Sequence, residues 1–303
     1  MTKKAVARQG RKEAIRQLSG PDDGRKKLGY VLWWTIAQNL NIKGDKAIDI
    51  FKNKGFPENE LPIPLEADIA FGRAAKKGSQ KLAGWLIRKV YHGEDRITYA
   101  VVKEKIDEAN EDAIYNREDR ITLHRKTADV TAQKNLVPSK EIKDIYKTTL
   151  GNVDNWRCID FLLKQTRVMG ALQLRDMGGI YFIPIQYEDK LNLVEEGLGE
   201  LSPESVLYLL PIYDDKKAQS SLKTAFIEDY RKELASMGEE LEKRIEAGGT
   251  RASTFQNRLT EYKELRERAR AYEDLLQFKA KDVHDAIDKM EAQVKEALAS
   301  AIE

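Results

Sequence analysis

Apolar residues fall three and four apart over the last ninety positions of the chain. Leu222, Phe226, Tyr230, Leu234, Met237, Leu241 and Ile245 form one stripe. After Gly248-Gly249, with Ser253 placed to cap a new helix, Phe255, Leu259, Tyr262, Leu265, Ala269, Tyr272 and Leu276 form a second. This heptad-like spacing predicts an antiparallel helical hairpin, or coiled coil, over residues 214–303. Leu234, Leu241, Leu259 and Leu276 would hold it. Arg231, Glu240, Arg258 and Glu267 would set its register. The second arm reads as one helix that outruns the first. Its last stripe, Val283, Ile287, Met290, Val294 and Leu298, has no partner inside such a hairpin. An apolar seam left in water is unfavourable, so it must pack on the body, on another protomer or on a foreign protein.

Upstream the period changes. Tyr30 to Ile36 is aromatic and β-branched, as a strand requires. Asp45 can cap a helix carrying Ile48, Ile50 and Phe51 that stops at Gly55. Pro57, Pro62 and Pro64 impose an extended connector before a short helix from Asp68 to Lys77. From 80 to 131 the alternation predicts an antiparallel meander. Trp85, Ile87 and Tyr91 lead into a turn at His92–Asp95, and Ile97–Ile106 continue the ladder. A further hairpin is expected between Ala113–Arg117 and Arg120–Lys126, across Glu118-Asp119.

Residues 139–213 follow another order. A helix holds Ile142, Ile145 and Tyr146, and a second carries Val153, Trp156, Ile159, Leu162 and Leu163 on one face. A ribbon then turns at Gly178-Gly179, and a helix and a strand follow. Helix, turn, helix and ribbon are the outline of a winged helix. The expected fold is therefore α+β. It comprises a flexible basic arm (1–27), an N-terminal α+β domain (28–138), a winged-helix-like unit (139–213) and the helical hairpin (214–303).

Charged residues make up 34% of the chain, yet the net charge is only +2, so no overall field draws it to polyanions. The basic charge is local. Arg8, Arg11, Lys12 and Arg16 lie in the N-terminal arm, and Arg157, Lys164 and Arg167 lie on the second helix of the winged-helix outline. These seven are the candidate nucleic-acid contacts. Asp154 and Asp160 beside them would repel phosphates. Cys158 is the only cysteine, which rules out an internal disulfide and fits a reducing, cytoplasmic setting. No apolar run is long enough to span a membrane. The three histidines have no metal-ligand spacing, and no phosphate loop, nucleophile elbow or dinucleotide fingerprint occurs. Neither a cofactor nor a catalytic set is expected.

Three local patterns occur in order. They are Val31-Leu32-Trp33-Trp34, then Leu61-Pro62 followed by Ala70-Phe71-Gly72-Arg73-Ala74, then Gly178-Gly179-Ile180-Tyr181-Phe182-Ile183-Pro184. Together with the helical tail they resemble an uncharacterised family of prokaryotic and phage proteins. The resemblance implies a phage or mobile-element origin and no particular activity. The expected function is a non-enzymatic interaction or assembly protein that docks a partner or a second copy through its helices. Nucleic-acid binding through the arm and the Arg157 helix is the alternative.

Overall fold

The computed structural model describes residues 12, 14, 15, 24–109, 111–175, 178–247 and 251–300. Contacts divide the chain into two units, each drawn from separated stretches. Unit one comprises residues 1–35, 165–196 and 204–303, and unit two comprises 36–164 and 197–203.

Unit one is built on β1 (Lys27–Thr35), whose apolar residues point to both faces. Such a strand needs a neighbour along each edge. It pairs antiparallel with β10 (Val206–Tyr213) on one side and with β9 (Tyr181–Pro184) on the other. The short β8 (Leu172–Gln173) adds to β9, giving the order β10-β1-β9-β8. Three helices complete the unit: α6 (Lys216–Ala247), α7 (Ala252–Leu276) and α8 (Lys281–Ser300). One core joins them to the sheet, in which Leu28, Leu172 and Phe182 meet Phe226, Tyr230 and Tyr272. The Tyr272 hydroxyl donates to the Gly170 carbonyl at 2.8 Å.

The Gly-Gly ribbon forms as expected, with its demands divided between the two glycines. Gly178 takes the left-handed conformation, at φ +98°. At Gly179 an added Cβ would press on the Trp34 and Tyr181 rings, which stack 5.5 Å apart. Phe182 and Ile183 are both buried, so both faces of the ribbon are covered. This corrects the winged-helix outline. The ribbon is not a free wing, because β9 is bonded along its other edge to β1. The first helix of the outline belongs to unit two and the ribbon to unit one.

The tail has three helices where the sequence predicts two arms. The turn at Gly248-Gly249 lies outside the described residues. The second arm breaks at Gln277, which is left-handed (φ +51°), and the Phe278 N–H closes the helix on the Glu273 carbonyl. The buried Glu273 carboxylate then accepts the Ala280 N–H at 2.5 Å, standing in for an N-cap of α8. Arg266 bonds Asp288 and Glu291, so α8 runs back along α7. The distal stripe thereby finds cover inside the chain. Val283, Ile287 and Val294 are buried, and Met290 and Leu298 pack against the same core.

Unit two contains the meander β3 (Trp85–His92), β4 (Arg96–Asp107), β5 (Asp112–His124) and β6 (Asp129–Ala132), in that order. Helices α2 (Ala67–Lys81) and α3 (Val137–Thr149) close its core, with Phe71, Ala74, Ile142 and Tyr146 against Ile97, Val101, Ile121 and Leu123. A smaller group is formed by α1 (Gly44–Lys52) and α4 (Asn155–Val168), where Phe51, Phe56 and Phe161 pack ring on ring. Gly197, on α5 (Glu188–Leu201), leaves room for the Phe51 ring. The strands β2 (Asn41–Lys43) and β7 (Asn152–Asp154) pair beside it.

Two local expectations are corrected in this unit. Glu118-Asp119 is not a turn. β5 runs through it and pairs with β4 from Arg96↔His124 to Asp107↔Asp112, with a register shift at Val101/Val102. Asp119 is instead buried within the strand. Its carboxylate accepts the N–H groups of Arg120, Lys134 and Leu136 and the Ser139 hydroxyl, fixing the approach to α3. On α4, Trp156 points outward and is 59% exposed, while Cys158, Phe161 and Leu162 face inward.

Burial alone would raise the Asp119 carboxyl, but these hydrogen bonds outweigh it and hold the carboxyl below the usual range. A depressed folded value means stability that is present above the unfolded carboxylate pKa and lost as pH falls through the folded one. Asp119→Ala should therefore cost about 3 kcal/mol near neutral pH in urea denaturation. It should also flatten the acid limb of the stability profile, bringing mutant and parent together at low pH. A second test concerns the distal stripe. Ile287→Glu buries a charge in the unit-one core and should lower the melting temperature steeply, rather than yield a well-folded chain of lower mass.

Candidate functional site

Among the sequence candidates, Arg8, Arg11 and Arg16 lie outside the described residues. Lys12 pairs with Glu195 at 2.6 Å. Arg157 lies 3.7 Å from Asp160, and its N–H bonds Asp154, whose other oxygen is held by Arg73. Lys164 is half-buried on α4, and Arg167, near the end of that helix, is exposed. The seam candidates Val283, Ile287, Met290, Val294 and Leu298 lie together in the unit-one core, as described.

Unit one does hold a cleft of about 690 Å³ that no local sequence motif marks. Its walls come from four chain segments: the end of α4 and Gly170, the Pro184–Tyr187 stretch after β9, one face of α6, and α7. Its lining includes the apolar Val168, Pro184, Met237, Leu265 and Ala271. The rest of the lining is largely charged. Arg167, Arg258 and Arg268 stand against Glu233, Glu261, Glu264 and Glu267. The helical period explains the α7 wall, since Arg258, Glu261, Glu264 or Leu265, and Arg268 recur every three or four residues.

Two of the arginines are already committed. Arg268 bonds Glu233, donates to the Tyr230 hydroxyl at 2.8 Å and lies over that ring. Burial opposes its charge, but Tyr230 and Glu233 more than compensate and keep it protonated. Arg258 bonds Glu240 across to α6 and Glu261 along its own helix. Both cross-links tie α6 to α7 in antiparallel register. Glu240 and Arg258, expected to set register from their positions in the sequence, are partners. Among the described residues Arg167, Glu264 and Glu267 form no ion pair, so they are the charges the cleft presents outward.

The buried ionisable groups of each unit are tuned for packing. Burial pushes the Tyr230 and Tyr272 phenols up, keeping both neutral. Burial also raises the Asp229 carboxyl, with partial relief from the Gln173 N–H and Arg268. Burial and then Asp154 push the Cys158 thiol up to about 12, which leaves no thiolate nucleophile at neutral pH. Among the described residues no group of three metal-ligating side chains is present. No helix among them is long and apolar enough to cross a membrane.

A family model matches residues 27–303, a span that starts with β1 and includes the cleft and both units. The chain belongs to DUF6744. This is a family of unknown function, so membership assigns no activity to the cleft. No curated protein and no solved structure matches the chain. The motif Gly178–Pro184 that carried the resemblance falls inside the DUF6744 match.

The charge network yields its own prediction. Arg268→Met removes the cation that faces Glu233 and the Tyr230 hydroxyl. It should destabilise the chain by about 1 to 2 kcal/mol, less than for a fully buried pair because Glu233 is 40% exposed and solvent screens it. Chemical denaturation measures the loss. Glu264→Gln, at an unpaired position of the lining, should change stability by less than about 0.5 kcal/mol.

Proposed function

We propose that this chain is a non-enzymatic interaction or assembly protein of the cytoplasm, using its helical C-terminal part as the docking element. The observation that carries the reading is the cleft along α7. Its lining mixes apolar residues with charges, of which Arg167, Glu264 and Glu267 have no ion-pair partner among the described residues. Apolar area interspersed with unpaired charge is how protein segments are recognised. The tyrosines beside it are held neutral, which suits packing better than acid–base work. Phage or mobile-element origin, implied by the resemblance, is compatible with an assembly role.

Nucleic-acid binding is the second reading, supported by the basic residues of the N-terminal arm. Against it, Lys12 and Arg157 are each met by a carboxylate, and Arg167 shares a cleft with four glutamates. Titrating the full-length chain with duplex DNA and single-stranded RNA across a salt series separates the two. We expect no salt-dependent binding. An affinity that falls log-linearly with salt would establish the second reading. In parallel, cross-linking in host lysate should recover proteins with the parent chain that are lost with Glu264→Lys/Glu267→Lys. A recovery that the charge reversal leaves unchanged would remove the cleft as the docking surface.

A further inference from the structure

The β4–β5 ribbon outruns its neighbours in unit two. β3 leaves β4 after the Trp85↔Lys103 pair, and β6 accompanies β5 only over Ile121–His124. From Glu104 to Tyr115 only two strands remain. Three large apolar side chains stand in water there, with Ile106 74%, Ile114 45% and Tyr115 57% exposed. Along residues 112–117, the edge of β5 away from β4 has no strand beside it among the described residues. Its sequence, Asp-Ala-Ile-Tyr-Asn-Arg, has no proline or glycine, and its two charges, Asp112 and Arg117, stand at its ends.

We propose that this edge is an interface between two copies of the chain, paired antiparallel about a two-fold axis through Ile114. The inference rests on the assembly reading and gives it a surface distinct from the cleft. Opposed residues in an antiparallel ladder must orient their backbone groups alike, so the axis passes through a residue and never between two. That leaves few registers. An axis at Ile114 sets Ile114 against its own copy, Ala113 against Tyr115 and Asp112 against Asn116. An axis at Tyr115 would set Ile114 against Asn116, and an axis at Ala113 would set Ile114 against Asp112, so either opposes the apolar side chain to a polar one.

The Ile114 register also covers the exposed side chains. Ile106 lies opposite Ala113 within the ribbon, on the same face. The second copy's Tyr115, facing Ala113, therefore lies over Ile106 as well. The result is an isologous interface that reuses one patch twice. It is small, so the association is reversible and concentration-dependent.

Sedimentation equilibrium of the full chain tests this. The average mass should climb from 34.6 kDa toward twice that value with concentration. Ile114→Lys puts like charges on the axis and should hold the chain at monomer mass with unchanged circular dichroism and melting. Opposed Cα atoms in such a ladder are close enough for a disulfide. Ile114→Cys should therefore yield, on oxidation, a dimer whose bond joins position 114 to itself, with the buried Cys158 as an unreactive internal control. A chain that stays monomeric at every concentration overturns the proposal. A dimer that survives Ile114→Lys and does not cross-link at position 114 also overturns it, while leaving assembly through another surface intact.

Discussion

β1 has to be satisfied on four sides, and much of the molecule follows from that. Its apolar side chains point both ways, so neither face can be left to water, and each edge carries backbone groups that need partners. Segments beyond residue 180 supply both edges. Bringing them back makes unit one discontinuous, and the stretch between β1 and β9 supplies most of unit two. Leu28 and Phe182 then present one face to α6, α7 and α8, where Phe226, Tyr230 and Tyr272 receive them. The long tail is thus a wall of the same core as the first strand.

Polar groups define the joints of this scheme. Asp119 fixes the path from the meander into α3, and Glu273 fixes the corner between α7 and α8. Arg268 ties α7 to α6 beside the cleft. Burial works against the charge of all three, and all three remain charged because their partners outweigh that cost. Such groups contribute definition of geometry more than net stability.

Elements with a clean period were legible in the chain. The first strand, the α1 helix, the β3–β4 turn and most of the stripes of α6 and α7 stand close to where their patterns place them, but Asp45 and Ser253 lie inside their helices rather than capping them, and Ile245 is 47% exposed. The Gly178 turn was legible because only glycine suits its conformation. The break at Gln277 was not, since Gln-Phe-Lys-Ala holds no glycine, proline or short capping residue and the cap comes from Glu273, seven positions before Ala280. Glu118-Asp119 resembled a turn because acidic pairs favour turns, but the buried bonds of Asp119 lie up to twenty residues away in sequence. Trp156 was placed inward on hydrophobicity alone, and the helix rotates it out. The cleft was illegible for a different reason. Its four walls come from segments far apart in the chain, each unremarkable alone.

The discontinuity of unit one also sets an order of events during synthesis. β1 leaves the ribosome about 150 residues before β9, which at roughly 5–20 residues per second is on the order of ten seconds. Most of unit two emerges within that interval and can collapse locally, since its meander pairs neighbours in sequence. Throughout it, an aromatic strand with two unmet edges travels with the nascent chain, a species prone to mispairing and a natural client for chaperones. β1 is translated before its partners yet completed among the last, so unit one can close only after the ribosome has moved well past the meander.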